Sequence, residues 1–211
     1  MTRSRCAALA AMVIGGLLGG CASTPPASFY SLSPLPRTAA SVTPEHEALA
    51  LGLGPVSFPA FLDRPQIVSR TSANQLELDE FDRWGGTLQD DFVRVWGENL
   101  GQLLDSSRIL ILPSEIRYPL DFRVSADVLA FEGTPDGQAQ LEVRWSLLDA
   151  ETAQVLSVRR GSYRRPLAQP RDTGALIAAL SAALGDFSRD VAATLRELPR
   201  PRRSGPAPPA S

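Results

Sequence analysis

Phe122-Arg123-Val124-Ser125-Ala126-Asp127-Val128, the turn cluster Gly133-Thr134-Pro135-Asp136-Gly137, and Leu141-Glu142-Val143-Arg144-Trp145-Ser146-Leu147 decide the fold. Apolar residues at every second position put one face of each run toward a core, and a short Gly- and Pro-containing turn between them brings the two runs back antiparallel. A second turn at Asp149 to Thr152 then leads into a third strand over Val155 to Arg164.

Working outward, the period changes. Leu88, Phe92, Val95, Trp96, Leu100, Leu103 and Leu104 recur at steps of three and four, which predicts a helix with one apolar face. Thr87 and Asp90 stand in capping-box spacing at its start, and Asp91 adds negative charge near the positive end of the helix. The same spacing returns in Leu176, Ile177, Leu180, Leu184, Phe187, Val191 and Leu195, behind Asp172 and Thr173 as caps. Upstream, Leu49, Leu51 and Leu53 alternate with small residues, and Pro55 to Pro59 is expected to end that strand. Gln66 to Thr71 and Gln75 to Leu78 read as two short strands around Ser72-Ala73-Asn74, and Arg108 to Leu112 as a buried strand stopped by Pro113. Strands, a helix, more strands and a helix give an α+β order. The expected architecture has two layers, a mostly antiparallel sheet with two main amphipathic helices packed on one face.

Ahead of this domain lies a different kind of segment. Arg3 and Arg5 form a positive start, Ala7 to Leu18 an apolar stretch, and Gly19-Gly20 the small residues before Cys21. As a helix the apolar stretch is about 18 Å long, short of the roughly 30 Å needed to cross a bilayer. It reads as a bacterial lipoprotein signal: residues 1–20 are removed and Cys21, as the new N-terminus, takes covalent diacylglyceryl and acyl lipid. Ala22 follows, not the Asp of an inner-membrane retention signal, so the expected location is the outer membrane, lipid-anchored and facing the periplasm. Residues 21–28 then act as anchor and tether, reaching at most about 25 Å when extended. Residues 29–197 form one domain, and 198–211, with five prolines from Pro199 on and Arg200, Arg202 and Arg203, form a disordered tail.

Composition narrows the chemistry. With Cys6 in the signal and Cys21 under lipid, the mature domain has no thiol for a disulfide, a metal or a nucleophile, and His46 is its single histidine. No metal or soluble cofactor is expected. After loss of the signal 19 arginines face 23 acidic residues, and that acidic balance disfavours nucleic acid. Leu51-Gly52-Leu53-Gly54-Pro55 has alternating glycines but a proline where a phosphate-binding helix would need free amides. Asp79, Glu80 and Asp82 cluster before Trp84, yet such clusters are usually solvated surface, and no Ser or Tyr has a base at recognisable spacing. A non-catalytic protein is expected.

The segment Phe58 to Gln66 says more. Pro59 and Pro65 bracket Phe61, Leu62, Asp63 and Arg64, a stiff loop presenting apolar side chains beside a bidentate cation, which suits a protein contact; the bland alternative is a loop folded onto its own core. Arg83-Trp84 is a second candidate contact, with a cation-π pair or helix staple as its alternative. Trp96 and Trp145 sit on apolar stripes and are expected in the core.

Phe29-Tyr30-Ser31-Leu32, Gly54-Pro55-Val56 through Leu62-Asp63-Arg64-Pro65-Gln66-Ile67-Val68, and Arg83-Trp84 leading into Val93 to Leu100 resemble the ABC-type transport auxiliary lipoproteins, the PqiC-like group, over about Phe29 to Leu195. The resemblance implies a small α+β domain without catalytic residues. It would serve as an outer-membrane docking partner for an MCE-domain protein that reaches across the periplasm in a lipid-transport system maintaining membrane integrity. On that reading Phe61, Leu62, Asp63, Arg64, Pro65, Gln66, Arg83 and Trp84 help form the docking surface, and a homo-oligomeric ring around a tubular partner is one compatible arrangement. Two alternatives stand beside it: a lipid carrier holding an acyl chain between its helix stripes and sheet, and a cell-wall hydrolase built on Asp79 or Asp82.

Overall fold

The computed structural model describes residues 26–37, 48–116 and 118–199. Cys21, the signal, most of the tether, His46 and the tail from residue 200 lie outside the described residues. In chain order the elements are β1 (Ser28–Tyr30), β2 (Leu51–Ser57), β3 (Gln66–Ser72), β4 (Gln75–Trp84), α1 (Leu88–Leu104), β5 (Ile109–Ile111), β6 (Phe122–Gly133), β7 (Gln138–Asp149), β8 (Val155–Pro166) and α2 (Thr173–Glu197).

The expected hairpin is the spine of an α+β fold. Val124 faces Leu147, Ala126 faces Trp145, Val128 faces Val143 and Phe131 faces Leu141, so the alternating apolar residues of β6 and β7 share one buried face. β8 continues antiparallel on the far side of β7. The sheet of eight strands is mixed: these longest ladders and β3–β4 are antiparallel, while β1–β4, β2–β5, β2–β6 and a short β3–β6 contact are parallel. β2 and β3 lie along the same side of β6, β2 beside Phe122 to Asp127 and β3 at Gly133, so residues 58–65 are an excursion within a single column of strand.

Both helices cover the same sheet face. Phe187 of α2 stacks on Trp96 of α1 with ring centroids 5.0 Å apart, and it meets Trp145 of β7 at 6.2 Å and Tyr163 of β8 at 5.9 Å. Phe92 adds an edge contact to Phe131 at 5.5 Å. Gly97 lets α1 approach β2, where an added Cβ would already touch Leu53 at 3.6 Å. Among the described residues no helix is long and apolar enough to cross a membrane.

Local chemistry fixes the helix ends. Thr87 caps α1 by accepting the Asp90 amide at 3.2 Å, but the Asp90 carboxylate takes the Thr87 hydroxyl at 2.6 Å instead of its backbone amide, so only half of the expected box forms. Asp91 accepts the Leu32 amide at 2.6 Å. Asp105 ends α1 in the left-handed region at φ 50°, one of the few non-glycine types that tolerate it. Asp172 caps α2 through the Ala175 amide.

β2 runs through Pro55, where the register shifts between Leu53 and Val56, and ends at Ser57, within the expected stop from Pro55 to Pro59. Two strand expectations are corrected. Arg108 to Leu112 yields only β5, half-buried to exposed, because it pairs with β2 alone at an edge of the sheet. β4 runs past Leu78 to Trp84 through a bulge in which Asp79 Oδ1 accepts the amides of Phe81 and Asp82 at 2.9 and 2.8 Å.

After β1 the chain straps the helix pair. The amides of Leu32, Ser33 and Leu35 donate to Asp91, Ser181 and Asn99 at 2.6, 3.1 and 2.7 Å, and buried Asn99 also donates to Ser188 of α2 at 3.2 Å. Leu32 is buried beneath this strap, and Leu35 lies so close to Gly185 that an added Cβ there would meet it at 2.7 Å.

Candidate functional site

The excursion 58–65 and the Arg83-Trp84 pair, far apart in sequence, meet at one end of the sheet. Gln66 is the register partner of Arg83, and Phe29 is the partner of Arg83 on its other side, so the three residues form one row across β3, β4 and β1. The Trp84 amide donates to the Pro65 carbonyl at 2.8 Å and ties the loop to β4. Within the loop, the Leu62 amide donates to Pro59 and the Arg64 amide to Leu62, each at 2.9 Å.

Folding of this loop corrects two of the expected contact residues. Leu62, 2% exposed, is a plug beneath its own turn, and Trp84, 5% exposed, stacks on Phe131 at 6.5 Å. Neither is available to a partner, because a tight turn over an open column of sheet fills the gap with its central leucine, and β4 carries Trp84 to the inner face. No cation-π contact joins Arg83 to Trp84; the Arg83 Nε donates to the Glu80 carbonyl at 3.3 Å.

Asp63 and Pro65 are exposed, while Phe61, Arg64, Gln66 and Arg83 are half-buried. Arg70 lies over the Phe61 ring at 5.9 Å and pairs with Glu132 at 2.5 Å. The Glu132 side chain of that pair is 3% exposed, while Arg70 remains 29% exposed. The Arg64 Nε is enclosed and has no hydrogen-bond partner.

Sequence reasoning missed the most exposed aromatic at this end, Phe29, 67% exposed, and Phe81 in the β4 bulge, also exposed. Phe29 had a signal, an aromatic in a three-residue edge strand just after the tether. Phe81 had none, since the bulge hides its orientation. On the inner side of β1, burial and then the charge of Asp82 raise the Tyr30 phenol above its usual range.

A cleft of about 660 Å³ lies between β3, β4, the β6–β7 turn and the start of α2, with Ile67, Leu167 and Leu176 among its apolar residues and Arg70, Glu77, Asp79 and Asp172 among its polar ones. It is not the acyl cavity of the carrier alternative, which belongs between helices and sheet; there Phe92, Trp96, Phe131 and Phe187 fill the space. Asp79 of the hydrolase alternative is committed to the bulge amides. Among the described residues no three His, Cys, Asp or Glu side chains gather as a metal site.

The arrangement combines a filled core with a row in which Phe29 is exposed and Gln66 and Arg83 are half-buried. The chain belongs to the family of ABC-type transport auxiliary lipoprotein components, whose model matches residues 30–192. Two solved structures share the fold. An uncharacterized protein aligns with a TM-score of 0.66 at 17% identity, covering 81% of this chain and 99% of its own. A Xanthomonas campestris protein of the DUF330 family aligns with a TM-score of 0.61 at 21% identity, covering 78% and 92%. No curated protein sequence matches the chain.

Proposed function

We propose that this protein is the lipid-anchored, non-catalytic docking subunit of a trans-envelope lipid-transport system. Lipid on Cys21 holds the domain on the periplasmic side of the outer membrane, and two or more acyl chains give stable attachment. Phe61, Asp63, Arg64, Pro65, Gln66 and Arg83, joined by Phe29, receive the end of an MCE-domain protein spanning the periplasm. The carrying observation is the row Gln66, Arg83 and Phe29, which aligns the loop with the strand through which the chain comes in from its anchor. Family membership supports a transport role. Several copies ringed around a tubular end would multiply one weak contact into a firm one.

Photocrosslinking in intact cells from Asp63 and Pro65, both exposed, tests the docking surface. Capture of an MCE-domain protein is the expected outcome, and a product set without any envelope transport protein overturns it. Mass spectrometry of the native protein tests the anchor separately, where an unmodified Cys21 thiol would end that part of the proposal.

A further inference from the structure

β8 is the opposite edge of the sheet from β1, five strand steps away, or about 24 Å at ordinary spacing. It is 12 residues long and among the described residues pairs only with β7, so every second residue turns an N–H and C=O outward with no ladder partner among them. Natural edges are commonly blunted by prolines, bulges or charge. Here the first proline is the terminal Pro166, the ladder is irregular only at Leu156, between Val155 and Ser157, and the third of the strand from Val155 to Val158 carries no charge, with Val155 54% and Val158 63% exposed.

The rest of the strand is strongly basic. Between Val155 and Pro166 there are four arginines and no acidic residue. Two face α2: Arg159 donates to Thr194 at 2.9 Å and lies over Trp145, and Arg165 holds Asp186 through two bonds at 2.6 and 2.7 Å. The other two lie on the open face, where Arg160 reaches Glu142 at 2.9 Å and the Arg164 guanidinium makes no hydrogen bond or close ion pair among the described residues, its charge acting at longer range on Asp136 of the β6–β7 turn. A second copy is a poor occupant of the basic stretch from Arg159 to Arg165. An antiparallel pairing centred on Ser162 sets Arg159 against Arg165 and Arg160 against Arg164, and like charges directly opposite are unfavourable.

We propose that β8 is an acceptor edge for one extended segment of another protein, added as a further strand. On the open face that segment is apolar opposite Val158 and acidic opposite Arg160 and Arg164. Backbone pairing supplies the attachment, and the two arginines, four residues apart, set register and exclude basic strands. This interface is independent of the loop at the β1 edge and stands whether or not that loop docks the transport partner.

The test uses the full lipidated chain in detergent micelles and three labelled peptides of about ten residues. One is Thr/Val-rich with two Glu four residues apart, one has Lys in their place, and one is the Glu peptide with alternate backbone N-methylation along the edge that would pair. Fluorescence polarisation should show saturable binding of the Glu peptide alone. Arg160→Glu with Arg164→Glu should weaken that peptide by about tenfold and make the Lys peptide the better ligand. Because alternate amides face outward, one of Ser157→Pro and Val158→Pro spares the β7 ladder. The variant that keeps the parental melting temperature should lose the peptide. Equal binding of the Glu and Lys peptides, undiminished binding of the methylated one, or no binding at all overturns the proposal. Disulfide capture of two copies through Val158→Cys would overturn it in favour of self-association.

Discussion

Removing the side chain of Asn99 should loosen the strap while leaving the sheet intact. Asn99 is fully buried on α1; its Oδ1 accepts the Leu35 amide at 2.7 Å and its Nδ2 donates to Ser188 at 3.2 Å. In Asn99→Ala the part-buried Leu35 amide loses its acceptor, which costs about 0.5–1.5 kcal/mol, and the lost bond to Ser188 adds about 0.5–1.5 kcal/mol. The sum, about 1–3 kcal/mol, corresponds to a fall of roughly 2–12 °C in melting temperature for a domain of this size. Ser188→Ala is the internal comparison. Its hydroxyl donates to the Leu184 carbonyl at 2.7 Å and accepts from the buried Asn99 Nδ2, so the change leaves that amide nitrogen without its acceptor and should cost about 1–3 kcal/mol while the Leu35 amide keeps its bond to Asn99. Thermal denaturation by circular dichroism gives the stabilities, and hydrogen exchange at Leu35 reports the strap directly. If Leu35 stays equally protected in Asn99→Ala, or if Ser188→Ala exposes Leu35 to exchange as much as Asn99→Ala does, the strap is not held as argued.

Phe187→Ala, which removes the ring shared by Trp96, Trp145 and Tyr163, should cost about 3–5 kcal/mol in denaturant unfolding, and a loss below about 1 kcal/mol would contradict the packing described. Gly54→Ala should be poorly folded, because φ at this residue is 123° and an added Cβ would stand 2.7 Å from the Leu112 carbonyl oxygen; an unchanged melting temperature would refute this. Arg70→Ala leaves Glu132 buried without its partner and should cost about 3–5 kcal/mol, with Arg70→Ala/Glu132→Gln recovering part of the loss in a double-mutant cycle. Burial first, and then the Asp190 carboxylate that accepts its hydroxyl at 2.7 Å, raise the Tyr163 phenol well above the ordinary range. The folded state therefore favours the protonated phenol; this stabilisation is complete below the unfolded value near ~10 and is lost as pH climbs through the folded one. An ultraviolet phenolate titration should show a late phase that disappears in Tyr163→Phe, and an early-titrating Tyr163 would refute the assignment.

What could be read in the chain depended on the range of the interaction involved. The alternation of Phe122 to Val128 and of Leu141 to Leu147, and the stripes Leu88 to Leu104 and Leu176 to Leu195, encode which side is buried, and each became an element in the expected place. Pairing between distant segments leaves no such pattern: nothing local shows that β2 runs parallel to β6, or that β3 resumes the same column after the loop. The proline-bracketed segment was legible as a loop, but prolines set backbone direction and say nothing about which side chain turns inward, so Leu62 was misplaced. Trp84 was misread because the bulge from Asp79 to Asp82 interrupts the alternation that would have assigned it to β4. The meeting of Gln66, Arg83 and Phe29 is a fact of register, visible only once the strands are assembled.

The strap has a mechanical corollary. A tug on the N-terminal end of the domain reaches the three rungs of the β1–β4 ladder first and the amide contacts of Leu32, Ser33 and Leu35 afterwards, because these attachments lie in series along the chain. Load therefore falls on these attachments one after another, and the strap can peel from strand and helices a bond at a time while the rings around Phe187 stay packed.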